Sequence, residues 1–337
     1  MSLGGTLRTM RNAIRRRTTR RAIVLMYHRV ASGLADPWGL CVSAQNFAQH
    51  MDAVRRLYEP IRLNQLAGGC VARNRMVAVT FDDGYADNLH VALPILQHND
   101  IPATFFLTSG ILGRAHEFWW DELERLLLRP RSLPRTLQFT QGTACRVFEV
   151  GRAAEPFESP ATWVKSSEPW EASADTRLGF YYTVWRWLGT LTEEHRSSAL
   201  AQLRAQLEEP QLTRDSHRSL TPAEATRLAG AAQVDIGAHS VTHTMLSTQS
   251  VEAQRWEMRQ SKQDLEALTG RPVQGFAYPH GDYGPETLDL ALESGFDFAC
   301  TVESGCVART SRPFLLPRLS VGDCSGREFV QLLEGAL

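Results

Sequence analysis

Several things are missing from this 337-residue chain, and each absence removes a function class. There is no charge excess: 36 Lys and Arg stand against 37 Asp and Glu, a formal net charge of −1. A nucleic-acid partner, which needs many cations to replace phosphate counterions, is therefore not expected. The six cysteines, at positions 41, 70, 145, 300, 306 and 324, contain no CxxC pair. Structural zinc and thioredoxin-like redox chemistry are left without a motif. No apolar run is long enough to span a bilayer. The Arg-rich start (Arg8, Arg11, Arg15, Arg16, Arg17, Arg20 and Arg21) has only the short apolar stretch 22–27 behind it, so a cleavable signal is not expected. The expectation is a cytoplasmic protein with a basic tail over residues 1–20. That tail is either solvated or docked on anionic lipid at the inner face of the membrane. Internal repeats and low-complexity blocks are lacking too.

What is present alternates. Apolar residues recur at helical spacing over 47–58 (Phe47, Met51, Val54, Leu57), followed by the β-branched run Met76-Val77-Ala78-Val79. A helix is predicted over 87–98, a strand over 101–107, and a helix over 254–268 stopped by Gly270-Arg271-Pro272. A helix over 285–293, strands over 296–301 and 315–320, and a closing helix over 327–333 complete the pattern. Alternating strands and helices favour a parallel α/β barrel over a sandwich.

Two motifs sit where such a fold carries chemistry, just past the carboxyl ends of strands. Thr80-Phe81-Asp82-Asp83-Gly84 follows the first run, and His239-Ser240-Val241-Thr242-His243 follows Val234-Asp235-Ile236. Side chains alternate along an extended segment, so Asp82 and Asp83 should point differently. One can ligate a cation while the other accepts a proton from bound water. Asp-Asp-Gly is also ordinary turn chemistry, and two His four apart often lie on a solvated face. Both motifs following strands in one chain favour a metal-dependent hydrolase site, and mixed N/O ligation with an open position suits zinc.

The chain resembles the polysaccharide deacetylase (NodB-type, carbohydrate esterase family 4) superfamily. The likeness rests on Val79–Tyr85, Ile101–Leu107, His239–His243 and Phe276-Ala277-Tyr278-Pro279-His280-Gly281. It implies a distorted, incomplete (β/α) barrel over 21–112 and 231–337, with 113–230 as a partly helical insertion, a lid or specificity element. It implies removal of N-acetyl groups from an amino sugar in a surface polysaccharide, oligosaccharide or lipid-linked glycan. Carried over, Asp82 is the base, and Asp83, His239 and His243 hold one divalent metal, Zn²⁺ first, with Co²⁺, Ni²⁺ or Mn²⁺ suited to the same donors. The Tyr278-Pro279-His280 loop supplies the oxyanion donor through the backbone N–H of His280.

Two departures from the family pattern stand out. Its late Leu-x-His, source of the general acid, reads Leu316-Pro317-Arg318-Leu319-Ser320 here, and the Arg two residues before the loop proline is Ala277. The segment Val24-Leu25-Met26-Tyr27-His28-Arg29-Val30 resembles the first strand of biofilm-type poly-N-acetylglucosamine deacetylases, which makes His28 the acid. A loop-capping His is the other reading. Arg318 is the candidate charge facing Asp82, or an Arg closing a strand against solvent. Trp119 and Trp120, with Tyr181, Tyr182, Trp185 and Trp187, either line the substrate site or form the insertion's own core. Two other outcomes stay open: a deacylase for another amide or ester (a deformylase or O-deacetylase), or a non-catalytic glycan-binding relative.

Overall fold

The apolar runs at 21–27 and 76–81 become neighbouring parallel strands in the computed structural model, six residues in register from Ala22↔Met76 to Tyr27↔Phe81. The structure describes residues 21–33, 35–67, 75–156, 172–173 and 175–337, so the basic tail 1–20 lies outside the described residues. The barrel strands are β1 (Arg21–Tyr27), β2 (Met76–Phe81), β3 (Ala103–Leu107), β4 (Val234–Ala238), β5 (Gly275–Ala277), β6 (Phe298–Cys300), β7 (Val307–Ala308) and β8 (Leu319–Ser320). Strands β1 to β6 lie side by side in chain order, each parallel to the next. β7 pairs antiparallel with the start of β1, and β8 runs parallel along its end. Just before β8, Leu316 bridges to Cys300 of β6. Residues 316–320 therefore touch both edges of the curled sheet, which is a distorted, incomplete (β/α) barrel.

Period-two alternation sorts the side chains. Ala22, Val24, Met76, Ala78 and Phe106 pack together inside the curl over a floor of Ile61, Leu63 and Leu66. Their strand neighbours Ile23, Leu25, Val77, Val79 and Phe105 belong to the larger core beneath the helices. The helix Ala44–Leu57 is capped by the Ser43 side chain and buries Phe47, Met51 and Val54. Leu57, expected on the same stripe, is 42% exposed. At 100° per residue it has rotated about 80° away from Phe47. The helix Val251–Thr269 ends at Gly270, whose φ of 65° is the left-handed cap that favours glycine.

The insertion brings its own core, built from helices Trp119–Leu128, Arg177–Gly189 and Glu193–Gln206 and the hairpin Thr136–Gln141/Ala144–Glu149. The helix Pro222–Ala229 lies within 113–230, yet it buries Ala225, Leu228 and Ala229 in the barrel core. Among the described residues no helix is long and apolar enough to cross a membrane.

Candidate active site

The parallel ladder runs straight into the site. Asp82 N–H donates to the Tyr27 carbonyl, His239 N–H to Leu107, and Tyr278 N–H to Cys300. Each strand-end residue is thereby fixed by its neighbour strand before its side chain does anything. Asp82 continues the inward register of Met76, Ala78 and Thr80, and both Asp82 and Asp83 are buried. Asp83 then turns at φ 73°, so the adjacent carboxylates diverge as expected. Gly84 follows at φ 91°, and a Cβ there would meet Leu107 at 3.0 Å.

Asp83 Oδ1 lies 3.2 Å from His243 Nε2 and 3.5 Å from His239 Nε2. The two Nε2 atoms are 3.1 Å apart. Among the described residues Asp83 Oδ2 is buried with no hydrogen-bond partner. His239 Nδ1 is 2.7 Å from the Ala277 carbonyl, which fixes the proton on Nδ1 and leaves the Nε2 lone pair free. Burial pushes the His239 imidazole down to about 4 against the pull of Asp82, so it is neutral, as a ligand must be. An orphaned buried carboxylate oxygen and two converging ring nitrogens fit a divalent cation.

The two His converge through a turn, not a helix: Ser240 (φ 60°) and His243 (φ 53°) are both left-handed. Glu257, buried on the helix Val251–Thr269, accepts the N–H groups of Val241 (2.7 Å) and Thr242 (2.9 Å) and the Thr242 hydroxyl (2.5 Å). Strained turns persist where the surroundings over-determine them, and this carboxylate does so. Sequence reasoning missed Glu257. The available signal was weak: Glu257 shares a helical stripe with Met258 and Leu265, the face that the helix buries along with Gln254 and Ser261.

Arg318, fully buried, donates from Nη1 and Nη2 to the two Asp82 oxygens at 2.7 Å each. It also donates to the Thr301 carbonyl and stacks over Phe106. Burial alone would raise the Asp82 carboxyl, but Arg318, with His239 and His28, holds it below the usual range. Ala277 on β5 carries no charge, and Arg318, in the segment that bridges the two edges of the sheet, presents its guanidinium to Asp82. His28 Nε2 stands 3.9 Å from Asp82 Oδ2, at the end of β1.

These groups open into a cavity of about 220 Å³. Its remaining wall is largely aromatic and apolar: Trp38, Leu40, Trp120, Trp185, Tyr278 and Val302. His280, left-handed at φ 57°, lines it with its Nε2 3.1 Å from His243 Nδ1. Burial, with His243 adding to it, pushes the His280 ring well below its ordinary value. Pro279, which opens this turn, is buried and is not part of the cavity wall. Trp120 packs 4.5 Å from the His243 ring and donates from Nε1 to the Tyr85 hydroxyl at 2.8 Å. Trp119, named with it as a candidate lid, is off the cavity wall: it stacks on Trp185 and lies under Arg196. Adjacent helical residues diverge by about 100°, so only one of the pair can face the cavity. Trp38, in the loop after β1, was not foreseen.

A family model described as polysaccharide deacetylase matches residues 71–132 and 183–299, more than half of the chain. The Bacillus subtilis (strain 168) protein YxkH is 28% identical over 108 residues. That stretch is 31% of this chain and 37% of YxkH, so the likeness spans little more than a third of that relative. The Streptococcus pyogenes deacetylase PplD, solved with acetate, superposes with a TM-score of 0.57 at 17% identity, over 94% of this chain and 99% of its own. IcaB from Ammonifex degensii gives 0.56 at 16% identity, over 94% and 97%. Likeness at these identities establishes the fold.

Proposed function

The chain belongs to the polysaccharide deacetylase family, and on that premise we propose that it is a metal-dependent carbohydrate N-deacetylase. Its substrate in this reading is an N-acetylated amino sugar of a surface polysaccharide, oligosaccharide or lipid-linked glycan. The observation that carries the proposal is the convergence of Asp83, His239 and His243 beside an Arg-clamped Asp82 in one cavity.

Asp83, His239 and His243 would hold the cation, with zinc the ion proposed and cobalt, nickel or manganese suited to the same donors. Once bound, the ion would polarise the acetamide carbonyl and make a water more acidic. Asp82 is ionised and oriented by Arg318, so it can take the proton from the attacking water. The oxyanion that forms takes a hydrogen bond from the backbone N–H of His280, in the turn that starts at Tyr278 and Pro279. His28 gives a proton to the departing amine, since a free amide anion is too poor a leaving group. A cytoplasmic setting, with the Arg-rich tail on an anionic membrane face, belongs to the same proposal.

The test is acetate release from N-acetylated monosaccharides, oligomers and lipid-linked sugars, before and after chelation and after Zn²⁺ is returned. Loss and recovery of release support the reading. Release indifferent to chelation contradicts metal dependence. No acetate from any substrate contradicts deacetylation and points to another acyl group, such as a formamide or an O-acetyl ester.

A further inference from the structure

The cavity is walled where a groove for a polymer would need to stay open. The loop after β1 and the insertion helix Arg177–Gly189 clasp each other across the rim. Trp38 meets Trp185 with ring centroids 4.4 Å apart and Tyr182 at 4.8 Å. Trp38 Nε1 donates to the Tyr181 hydroxyl at 2.9 Å, and the Tyr182 hydroxyl donates to the Pro37 carbonyl. From Trp185 the wall continues edge-on to His280 at 5.1 Å, and Trp120 closes against His243 at 4.5 Å.

A residue in mid-chain carries a glycosidic neighbour on each side and needs two exits. This continuous arc crosses the path that one of them would take. Size agrees: pockets for drug-sized ligands run roughly 300–1,000 Å³, whereas about 220 Å³ suits one sugar ring with its acetamido arm. Charge narrows it further. No Lys or Arg is among the described residues lining the cavity. In the deacetylase reading its cationic centres, His28 and the metal ion, are both engaged with the acetamide, so the wall reserves no charge for a uronate or phosphate. The aromatic faces instead suit the C–H face of a neutral pyranose.

Building on the deacetylase reading, we propose that the cavity admits its N-acetylated residue only from a chain end, as one neutral pyranose, with Trp38 and Trp185 setting that limit. The experiment is a map of free amines, by fragment-ion mass spectrometry, on oligomers of N-acetylglucosamine and N-acetylgalactosamine of one to six residues. The wild type should give one free amine, at one chain end, whatever the length. Trp38→Ala and Trp185→Ala should spread amines to internal residues and raise KM for the shortest substrates about tenfold, with kcat less affected. Internal amines in the wild-type product overturn the inference and leave the deacetylase reading standing, a result that needs no variant to fold. No release from any of these, nor from the lipid-linked sugars of the acetate assay, overturns both.

Discussion

Arg318 grips both oxygens of Asp82 at 2.7 Å across 236 residues of sequence, with Arg318 fully buried and Asp82 buried but for its edge on the cavity. Such a pair is costly to assemble and more costly to break, because removing one member leaves the other buried and uncompensated. Arg318→Met should therefore destabilise the fold by about 3–5 kcal/mol in a denaturant titration. Asp82→Asn added to Arg318→Met should recover part of that loss. Additive losses in the double variant would show that the two residues do not act as a pair.

His28 lines the cavity with its Nε2 3.9 Å from Asp82, outside the cluster of Asp83, His239 and His243, and is the general acid in the proposed reaction. His28→Gln should keep its metal content and lower kcat by roughly 10²–10⁴, the range for losing a general acid. Metal analysis alongside initial rates checks both halves. Wild-type turnover would remove His28 from the mechanism.

Glu257 holds the turn that brings His239 and His243 together, and in the proposed reading it thereby supports metal affinity. Glu257→Gln keeps the size of the side chain but loses the charge that two N–H groups and a hydroxyl now share. We expect metal affinity to fall about tenfold or more, as for other supporting-shell changes. Competition with a chromogenic chelator would read this. An unchanged affinity would mean that the Ser240–His243 turn stands without Glu257.

Asp121 gives the stability a pH slope. Burial raises its carboxyl to about 7, assisted by Glu117 and opposed by Arg29, the Tyr85 hydroxyl bond of 2.7 Å and Arg214. Between about pH 4, the ordinary carboxyl range, and pH 7 the folded state keeps a proton that the unfolded chain has released. This group therefore costs stability progressively as pH rises through that window. At three pKa units the cost is at most about 4 kcal/mol. Asp121→Asn should flatten the slope between pH 4.5 and 7.5. Parallel wild-type and variant curves would contradict it.

Much of the barrel was legible because its signals are local. The β-branched run at 76–79 and the stop at Gly270-Arg271-Pro272 depend only on residues a few positions apart. Asp82, Asp83, His239 and His243 were legible for the same reason: each motif follows its own strand. What was hidden is tertiary. Arg318 could be named only from the vacancy at Ala277, since nothing around Pro317 shows that it faces β2. Trp38 stands in a loop with no periodicity to mark its face, and it meets Trp185 from about 150 residues away only through folding. Trp119 and Trp120 could not be told apart without the axis of their helix.

The role of Asp82 is tested most directly by acetate release and bound metal in the wild type and in Asp82→Asn, each reconstituted with Zn²⁺. The variant should bind one equivalent of metal, as the wild type does, and release acetate at least about 10²-fold more slowly, the scale for losing a general base. Equal rates at equal metal content would contradict Asp82 as the base.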